Sequence, residues 1–562
     1  MQDYDLDTIR DQIIGNNIVF RTPFGERHLL YADYTASGRG VRFIEEQIQN
    51  ILASYGNTHT EDDYSGKYLT TLLHQAEKRI KEIVNAGKQG KIIMIGSGAT
   101  GALKKLQEII GVYIPPTTKD YLYGTIQEST RTPNQIIARL EENRPVVFIG
   151  PYEHHTNELM WRESHADVVV IHLDTDGKID LKDLEQKLSD TRYEHRRKLA
   201  SFSAGSNVTG IRTAVYDIAR ICHRHNAFVF FDFAAVAPYI LIDMNHDPES
   251  YFDAIFFSPH KFLGGPGTCG VLVFNEKIYR KDLPPTTAGG GTVIYVGFNT
   301  HDFSEDIETR EKAGTPPILQ AIKAALVLEL KEKIGVETIE EVEQSYTRYF
   351  IDELKKIKNV ELLGDIAADE RVPIVSLNIR HKDRILHPRF VAKLLNDLFG
   401  IQSRAGCSCA GPYGHILLGI DHQTSEKYRR FIVQGCEGIK PGWVRVNIHY
   451  TLSQEDVAYI IQTIEFIARA GHLFLQKYLL NMKTAEWTYI GFTPQPPPFS
   501  LEETFEPHII SPRELPTLRA TYLKEAEILA EELKKQIPSP YIKDKGGREE
   551  LNYFYCCHKT EK

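Results

Sequence analysis

Short apolar runs alternate with helix-like stretches between about residues 90 and 275. The runs are rich in Val, Ile and Phe and end in Gly, Asn, Asp, Ser or Pro: KIIMIGSG, RPVVFIGPY, ADVVVIHLD, KLASFSAGSN, FVFFDF and AIFFSP. Amphipathic stretches such as LKDLEQKLSDTRYEHRRK and VYDIARICHRHN separate them. This alternation predicts a mostly parallel sheet covered by helices. Ligands of such sheets bind at the carboxyl ends of the strands, so the polar residues there are candidate site residues.

The pattern changes after this sheet region. Residues 316–335 (PPILQAIKAALVLELKEKIG) predict a helix, and VPIVSLNIR and WVRVNIHY predict strands of a smaller α+β unit that extends to about residue 470. The segment TPQPPP predicts a stiff linker. Residues 517–536 have helical spacing with i,i+4 charge pairs, and the polar last stretch, KDKGGREELNYFYCCHKTEK, predicts a loose end.

Composition narrows the class of protein. The 562 residues are 42% hydrophobic and 25% charged, which excludes collagen-like and wholly disordered chains. A net charge of -9 argues against a general nucleic-acid binder. The seven cysteines are too few and odd in number for a disulfide scaffold, so reduced thiols and a cytoplasmic location are expected. The longest apolar stretch is interrupted by Asp232, so we expect no membrane span.

The strongest local signal is Lys261 in the sequence Ser258-Pro259-His260-Lys261, which a Gly-rich turn follows. A lysine placed after a buried strand is desolvated, which lowers its pKa and makes the amine a usable nucleophile for a Schiff base. A single lysine in such a position more often extends from its loop into solvent.

Asp232 ends the almost wholly apolar strand FVFFDF. A carboxylate buried there needs a cationic partner, and a protonated pyridine nitrogen would serve. Enzymes that use pyridoxal 5'-phosphate (PLP) pair such an Asp with a Schiff-base lysine. The alternative is an Asp that caps the next turn, but Asp232 and Lys261 together favour the cofactor.

Three further motifs follow predicted strands. GSGATG (96–101) opens a helix whose free N–H groups could bind phosphate, although tight turns use the same residues. His154 in YEHHTN could stack on an aromatic ring or belong to a solvated surface pair. Asn207 forms a glycosylation sequon, but without a secretion signal it is interpreted as a polar strand-end residue.

In these motifs the chain resembles the class V aminotransferase group of fold-type I PLP enzymes, most closely the cysteine desulfurases, over roughly residues 25–470. The resemblance implies an α/β fold with a large, mostly parallel-sheet domain, a smaller α+β domain and a C-terminal extension. It implies that Lys261 holds PLP as a Schiff base and that Asp232 pairs with the pyridine nitrogen. His154 would stack on the ring, and Asn207 would lie beside ring and substrate.

The resemblance also implies how the phosphate is bound. The residues concerned are Ala99, Thr100, Ser258 and His260. An AGTP segment (313–316) reaches the phosphate from the neighbouring subunit in this family, which makes Thr315 a cofactor residue and implies a homodimer.

Two matches concern the reaction. SRAGCSCA (403–410) resembles the RxGxxC loop of the desulfurases, which places the nucleophile at Cys409. A nearby Arg404 would lower the pKa of the Cys409 thiol and contact substrate. VRVN (444–447) resembles the carboxylate-binding segment and assigns that role to Arg445, whose alternative is a strand-edge salt bridge.

The Cys407–Cys409 pair has other interpretations. It could be half of a metal site, but such sites usually need four ligands and we find no matching pair, so no metal is predicted. It could form a regulatory disulfide, consist of two inert thiols, or let Cys407 assist or resolve. Molybdenum-cofactor sulfurases, which resemble this group, also carry a GCxC pattern, so the loop does not identify the sulfur acceptor.

The chain departs from the desulfurase pattern in three places. Ala235 stands where a Gln usually lies beside the PLP hydroxyl, HQTSEKYRRFIVQGCEGIKPG is inserted between Cys409 and Arg445, and the chain beyond about 470 has no counterpart. We expect a segment (1–60) that packs on the small domain and active site. A large PLP-binding domain (61–335), a small domain (336–470) and an extension (471–562) would follow.

The sequence thus favours a PLP-dependent cysteine desulfurase that converts L-cysteine to L-alanine and leaves a persulfide on Cys409 for a sulfur-acceptor protein. No nucleic acid or membrane partner is expected. One alternative is another class V reaction, namely transamination, β-elimination or epimerisation of a different amino acid. A second is a binding or scaffold protein that acts through its tail.

Overall fold

The computed structural model describes residues 4–58, 60–129, 132–494, 499–502, 507–536 and 554–555. Residue contacts divide the chain into two compact units. The central unit consists of Ser37–Ser206 and Ile211–Glu337. The terminal unit consists of the described residues of Met1–Ala36, Asn207–Gly210 and Thr338–Lys562.

The terminal unit begins with one helix and three short strands: α1 (Leu6–Gln12), β1 (Ile18–Thr22), β2 (Gly25–His28) and β3 (Leu30–Tyr31). Asp5 caps α1 by accepting hydrogen bonds from the backbone N–H groups of Asp7 and Thr8. Strands β1 and β2 form an antiparallel hairpin. The chain then enters the central unit at Ser37.

The central unit is built on a seven-stranded sheet. Its strands are β4 (Gly90–Ile95), β5 (Val146–Ile149), β6 (Asp167–Val170), β7 (Lys198–Ser203), β8 (Ala227–Asp232), β9 (Ala254–Phe257) and β10 (Gly270–Asn275). They lie in the order β4-β10-β9-β8-β7-β5-β6, and only β10 runs against the others. Strands such as β5 and β9 are buried throughout, which is why they read as unbroken apolar runs.

Helices and a hairpin complete the central unit. They are α2 (Arg42–Leu52), α3 (Tyr64–Ile83), α4 (Ala99–Ile109), α5 (Pro116–Ser129), α6 (Pro133–Glu142), α7 (His155–Arg162), α8 (Leu181–Leu188), α9 (Val215–Arg224), β11 (Val293–Val296), β12 (His301–Phe303), α10 (Ile307–Arg310) and α11 (Ile318–Ile334). The predicted mostly parallel sheet with covering helices is confirmed. The amphipathic stretch that begins at Leu181 forms a shorter helix than its pattern predicts. Asp190 accepts a hydrogen bond from the Arg192 N–H and starts a separate short 3-10 turn, which ends α8.

The remainder of the terminal unit follows α11. Its elements are α12 (Val336–Lys355), β13 (Val360–Leu362), β14 (Ile374–His381), β15 (Arg384–Leu386), α13 (Pro388–Phe399), β16 (Ile401–Gln402), β17 (Arg404–Gly406), α14 (Gly411–Leu417), α15 (His422–Val433), β18 (Trp443–Asn447), α16 (Gln454–Ala470), β19 (Tyr478–Asn481), β20 (Glu486–Tyr489), β21 (His508–Ile509), α17 (Leu515–Lys535) and β22 (Phe554–Tyr555). The main sheet has the order β17-β18-β14-β15-β22, with β13 beside β14. Strand β16 pairs with β3, so the first residues of the chain join the same unit.

The C-terminal extension contributes to the core of the terminal unit. On α17, Tyr522, Ala526, Ala530 and Leu533 are buried in the same apolar cluster as α13 and α16. The prediction of a loose end is wrong for Phe554–Tyr555, which pair in parallel with β15. Residues 495–498 of the predicted linker, and Cys556 and Cys557, lie outside the described residues.

Two kinds of feature are absent from the described residues. None of their helices combines the length and the apolar composition that a membrane crossing requires. They also contain no group of three or more His, Cys, Asp or Glu side chains arranged to hold a metal ion.

Candidate active site

The candidate residues of the central unit lie at the carboxyl ends of its parallel strands. Asp232 is the last residue of β8, and Ser258 follows the last residue of the neighbouring strand β9. The register aligns Asp232 with Phe256, so the two strands end at nearly the same level. This is the edge of a parallel sheet at which ligands bind.

The start of α4 forms a cradle that fits a phosphate group. Ser258 Oγ accepts a hydrogen bond of 2.8 Å from the Ala99 N–H. Gly98 precedes α4 with φ +81°, and a Cβ on it would lie 2.7 Å from Ser258 Oγ and 3.4 Å from His260 Nε2. The N-cap residue of this helix, Gly98, has no side chain to cap it, and the backbone N–H groups at the helix start are suited to an anion. Thr100 is the second residue of α4 and is exposed.

Lys261 and Asp232 interact electrostatically in the same unit. Lys261 ends the short 3-10 turn Pro259–Lys261 and is half-buried. Asp232 is 4% exposed and accepts a hydrogen bond of 2.9 Å from the Ala234 N–H. Burial raises the pKa of Asp232 to about 6, although this hydrogen bond and the charge of Lys261 act in the opposite direction. A buried carboxylate of this kind fits a cationic ring nitrogen.

His260, which directly precedes Lys261, contributes a neutral imidazole to the cradle. Burial and the neighbouring charge of Lys261 lower the pKa of His260 to about 4. The imidazole is therefore neutral at pH 7, with one ring nitrogen available as a donor and the other as an acceptor.

His154 caps α7, directly beyond β5. Its Nδ1 accepts a hydrogen bond of 3.1 Å from the Thr156 N–H, which fixes the orientation of the half-buried ring. Thr156 Oγ1 lies 2.8 Å from Thr100 Oγ1, so the starts of α7 and α4 are tied together. The structure thus links His154 to the helix that forms the phosphate cradle.

Sequence reasoning missed Glu153, a fully buried carboxylate beside His154. Its oxygens accept hydrogen bonds from the Gly150 N–H, the Asn157 amide and both the N–H and hydroxyl of Ser203. Burial nevertheless raises the pKa of Glu153 to about 7, and the charge of Asp232 adds to this shift. The signal in the sequence is an acidic residue in the short turn between an unbroken apolar strand and the following helix.

Thr315 lies in the central unit, where it is hydrogen-bonded to a residue outside the cradle. It is exposed, and its Oγ1 accepts a hydrogen bond of 3.2 Å from the Asn57 amide. Its predicted contact with a phosphate of the neighbouring subunit stays a prediction.

The terminal unit brings both candidate arginines together. Arg404 on β17 and Arg445 on β18 are directly opposite each other in an antiparallel pair. Arg445 is nearly buried and donates a hydrogen bond of 3.0 Å to the Asn207 carbonyl. Asp33, which sequence reasoning missed, accepts hydrogen bonds from Arg404 Nε at 2.9 Å and from Arg445 Nη2 at 3.1 Å.

The cysteine loop follows β17. Ser408 and Cys409 have φ of 48° and 55°, which is a left-handed conformation that costs non-glycine residues about 1–2 kcal/mol each. The Asn207 amide donates a hydrogen bond of 2.6 Å to the Ser408 carbonyl and holds this turn. Cys409 is exposed, Cys407 is half-buried, and both thiols are free. The Asn207 Oδ1 atom is buried, with no hydrogen-bond partner among the described residues.

Both a family model and curated relatives match this chain, and they point to the same enzyme family. The family model for Aminotransferase class-V matches residues 124–460. A probable cysteine desulfurase of Halalkalibacterium halodurans is 28% identical over 389 residues, which cover 68% of this chain and 84% of that protein. A probable cysteine desulfurase of Staphylococcus aureus is 28% identical over 395 residues, covering 69% and 84%.

Solved structures have the same fold. The apo cysteine desulfurase of Thermococcus onnurineus has a TM-score of 0.61 at 23% identity and covers 78% of this chain and 95% of its own. The Escherichia coli cysteine desulfurase CsdA, with an S-sulfonic acid, has a TM-score of 0.60 at 19% identity and covers 83% and 98%. The predicted fold class and the predicted family resemblance are confirmed.

Proposed function

Because the chain belongs to the class-V aminotransferase family, we propose that it is a PLP-dependent cysteine desulfurase. The proposed reaction moves the sulfur of L-cysteine to Cys409 and releases L-alanine. Relatives described as probable cysteine desulfurases support this choice within the family. The observation that carries it is an exposed thiol, Cys409, on the loop that leaves β17 directly after the strand pairing of Arg404 and Arg445.

The central unit supplies the residues that would hold the cofactor. Its phosphate would be bound by the cradle residues Ala99, Thr100, Ser258 and His260, and by Thr315 of a second copy. Asp232 would pair with the ring nitrogen, His154 would stack on the ring, and Lys261 would bind it covalently. When bound, the cofactor supplies an electron-withdrawing ring that stabilises negative charge at the amino-acid Cα.

The side chains have distinct roles in the proposed reaction. Arg445 binds the substrate α-carboxylate, with Arg404 as a second cation and the Asn207 side chain beside the substrate. The Lys261 amine takes the proton from Cα. The Cys409 thiolate attacks the substrate sulfur, so an S–S bond forms as the Cβ–S bond breaks. The electron pair of the broken bond passes to Cβ, which takes a proton to become the methyl group of alanine. The protonated Lys261 amine returns its proton to Cα, which completes alanine. The persulfide on Cys409 then passes to a sulfur acceptor.

The quaternary structure and compartment belong to the proposal. We infer a homodimer because the β11–β12 hairpin exposes apolar side chains: Ile294, Val296 and Phe298. Because Cys222, Cys269, Cys407 and Cys409 all carry free thiols, a reducing, cytoplasmic compartment is inferred.

The test measures alanine and sulfide formed from L-cysteine by the PLP-loaded protein with a thiol reductant. Wild type is compared with Lys261→Ala and Cys409→Ser, and Cys407→Ser is the matched thiol control. We expect alanine formation to require both Lys261 and Cys409, with at least a hundredfold loss in either variant. Absence of alanine from wild type would overturn the proposal. Turnover of another amino acid that survives Cys409→Ser would indicate a different class V reaction.

A further inference from the structure

Two arginines directly opposite each other on neighbouring strands are an unfavourable arrangement. Like charges at a cross-strand pair repel each other, and Arg404 and Arg445 occupy such a pair. One carboxylate offsets this repulsion, because Asp33 Oδ2 binds Arg404 and Asp33 Oδ1 binds Arg445. The three side chains together carry a net charge of about +1 at neutral pH.

Asp33 is held by its own neighbours in the terminal unit. The Ala32 N–H donates to the Gln402 carbonyl at 2.9 Å, which anchors the backbone before Asp33. On the other side, the Tyr34 ring stacks on the buried His449 ring with centroids 3.8 Å apart. The Asp33 carboxylate is only 13% exposed, so it is a fixed negative charge rather than a flexible surface acid.

The two arginine side chains differ in their exposure to solvent and in the number of groups that hold them. The Arg445 side chain is 5% exposed and is also bound to the Asn207 carbonyl, whereas that of Arg404 is 52% exposed. Arg404 is thus the cation that could reach a second acidic group on a bound amino acid. Its contact with Asp33 holds its Nε and offsets its charge.

We propose that Asp33 is a specificity-determining residue that restricts the substrate site to amino acids with a single acidic group. The proposal rests on the proposed function, because it takes Arg445 as the group that binds the α-carboxylate. With Asp33 in place, one net positive charge matches one carboxylate. A second anionic group on the amino acid is repelled by the Asp33 carboxylate, and Arg404 cannot offset this repulsion because it is already paired with Asp33.

The experiment uses L-aspartate and L-asparagine, which have nearly the same shape and differ in one negative charge. Their dissociation constants are measured on the PLP-loaded protein by calorimetry and by the change in cofactor absorbance. Asp33→Asn removes the charge and keeps the shape. We expect the preference for asparagine over aspartate to fall at least tenfold in this variant, which is about 1.4 kcal/mol. Added salt should reduce the effect.

Arg404→Gln is the second variant, and its change should have the opposite sign. Because Asp33 then faces Arg445 alone, the preference for asparagine should rise at least threefold. This variant also tests the proposal if Asp33→Asn does not fold, because the Arg404 side chain is half exposed. The control is Asp365→Asn, an exposed acid of the same unit, which should leave the preference unchanged.

The outcomes separate two kinds of failure. An unchanged preference in both variants, or no aspartate binding by a folded Asp33→Asn protein, would overturn the role of Asp33. A wild-type protein that forms no alanine from L-cysteine would overturn the proposed function instead.

Discussion

At the scale of single residues, two buried carboxylates lie close together in the central unit. Burial raises the pKa of Glu153 to about 7 and that of Asp232 to about 6, and the charge of Asp232 contributes to the shift of Glu153. Glu153 accepts hydrogen bonds from four groups, whereas Asp232 is hydrogen-bonded by the Ala234 N–H. Asp232 is therefore the carboxylate for which a cationic ligand has the larger effect.

Asp232→Asn should change the pH dependence of stability of the cofactor-free protein. The folded-state pKa of Asp232, about 6, lies above the ordinary aspartate value of 3.8, so the folded state favours the protonated carboxyl. Ionisation of Asp232 therefore destabilises the folded wild-type protein, and this destabilisation is absent below pH 3.8 and complete above pH 6. Relative to wild type, the variant should gain roughly 2–3 kcal/mol in its free energy of unfolding between pH 4 and 7.5.

Urea denaturation of both proteins across this pH range measures the difference. The absolute stabilities need not match, because the prediction concerns how their difference changes with pH. Parallel curves would contradict it. In the PLP-loaded protein the gain should disappear, because a bound cation lowers the carboxyl pKa again.

Glu153→Gln should destabilise the protein although it preserves the shape of the side chain. The Gln amide nitrogen would replace one of the two carboxyl oxygens. At either place it would face an N–H or hydroxyl group that now donates a hydrogen bond to Glu153. We expect a loss of about 2–3 kcal/mol in the free energy of unfolding at pH 5, measured by urea denaturation, because the raised pKa leaves Glu153 protonated there and no ionisation cost offsets the loss. Glu163→Gln, an exposed residue that ends the same helix α7, should change it by less than about 0.5 kcal/mol. Equal losses in the two variants would contradict a special role for Glu153.

At the scale of elements, α17 shows that the C-terminal extension is structural. Its buried side chains pack into the core of the terminal unit, and the Tyr522 hydroxyl accepts a hydrogen bond from the His28 N–H. Arg27 and Arg519 form ion pairs that tie the helix to β2 and α16. A deletion that removes α17 would therefore remove part of the core and would not separate a binding tail from an intact enzyme.

Two aspartate substitutions on α17 test this packing. Ala526 is 1% exposed, so Ala526→Asp buries an unpaired carboxylate and should lower the free energy of unfolding by at least about 3 kcal/mol. Ile528, two residues further, is 53% exposed, and Ile528→Asp should cost less than about 1 kcal/mol. Thermal and urea denaturation give both values. A tolerated Ala526→Asp would mean that α17 does not support the core.

At the scale of the whole molecule, the sequence predicts what is local and misses what is distant. Six of the seven strands of the central sheet are predictable because each is a short apolar run that ends in Gly, Asn, Asp, Ser or Pro, and strands such as β5 and β9 are buried on both faces. The cradle residues were found because Ala99 and Ser258 lie in recognisable motifs. Their hydrogen bond, across 159 residues of sequence, required the structure.

Asp33 shows why the rest could not be predicted. Its contact with Arg445 spans 412 residues, and nothing in YADYTASG distinguishes this acid from a surface residue. The helix α17 is predicted from its spacing and its i,i+4 charge pairs, but neither feature shows that it is buried. Its burial depends on an apolar surface that segments far apart in the sequence assemble. The predicted domain boundaries and the roles of the site residues stay predictions.

The terminal unit combines the first residues of the chain with residues from 338 onward. This arrangement constrains the order in which the two units can fold during synthesis. At about 5–20 residues per second, the ribosome needs roughly 20–80 s to travel the 412 residues from Asp33 to Arg445. The sequence of the central unit is complete at Glu337, so that unit has all its residues first. Because the β1–β2 hairpin contacts α13 and is tied to α17 by the Arg27–Glu525 ion pair, it cannot complete its packing until α17 has left the exit tunnel.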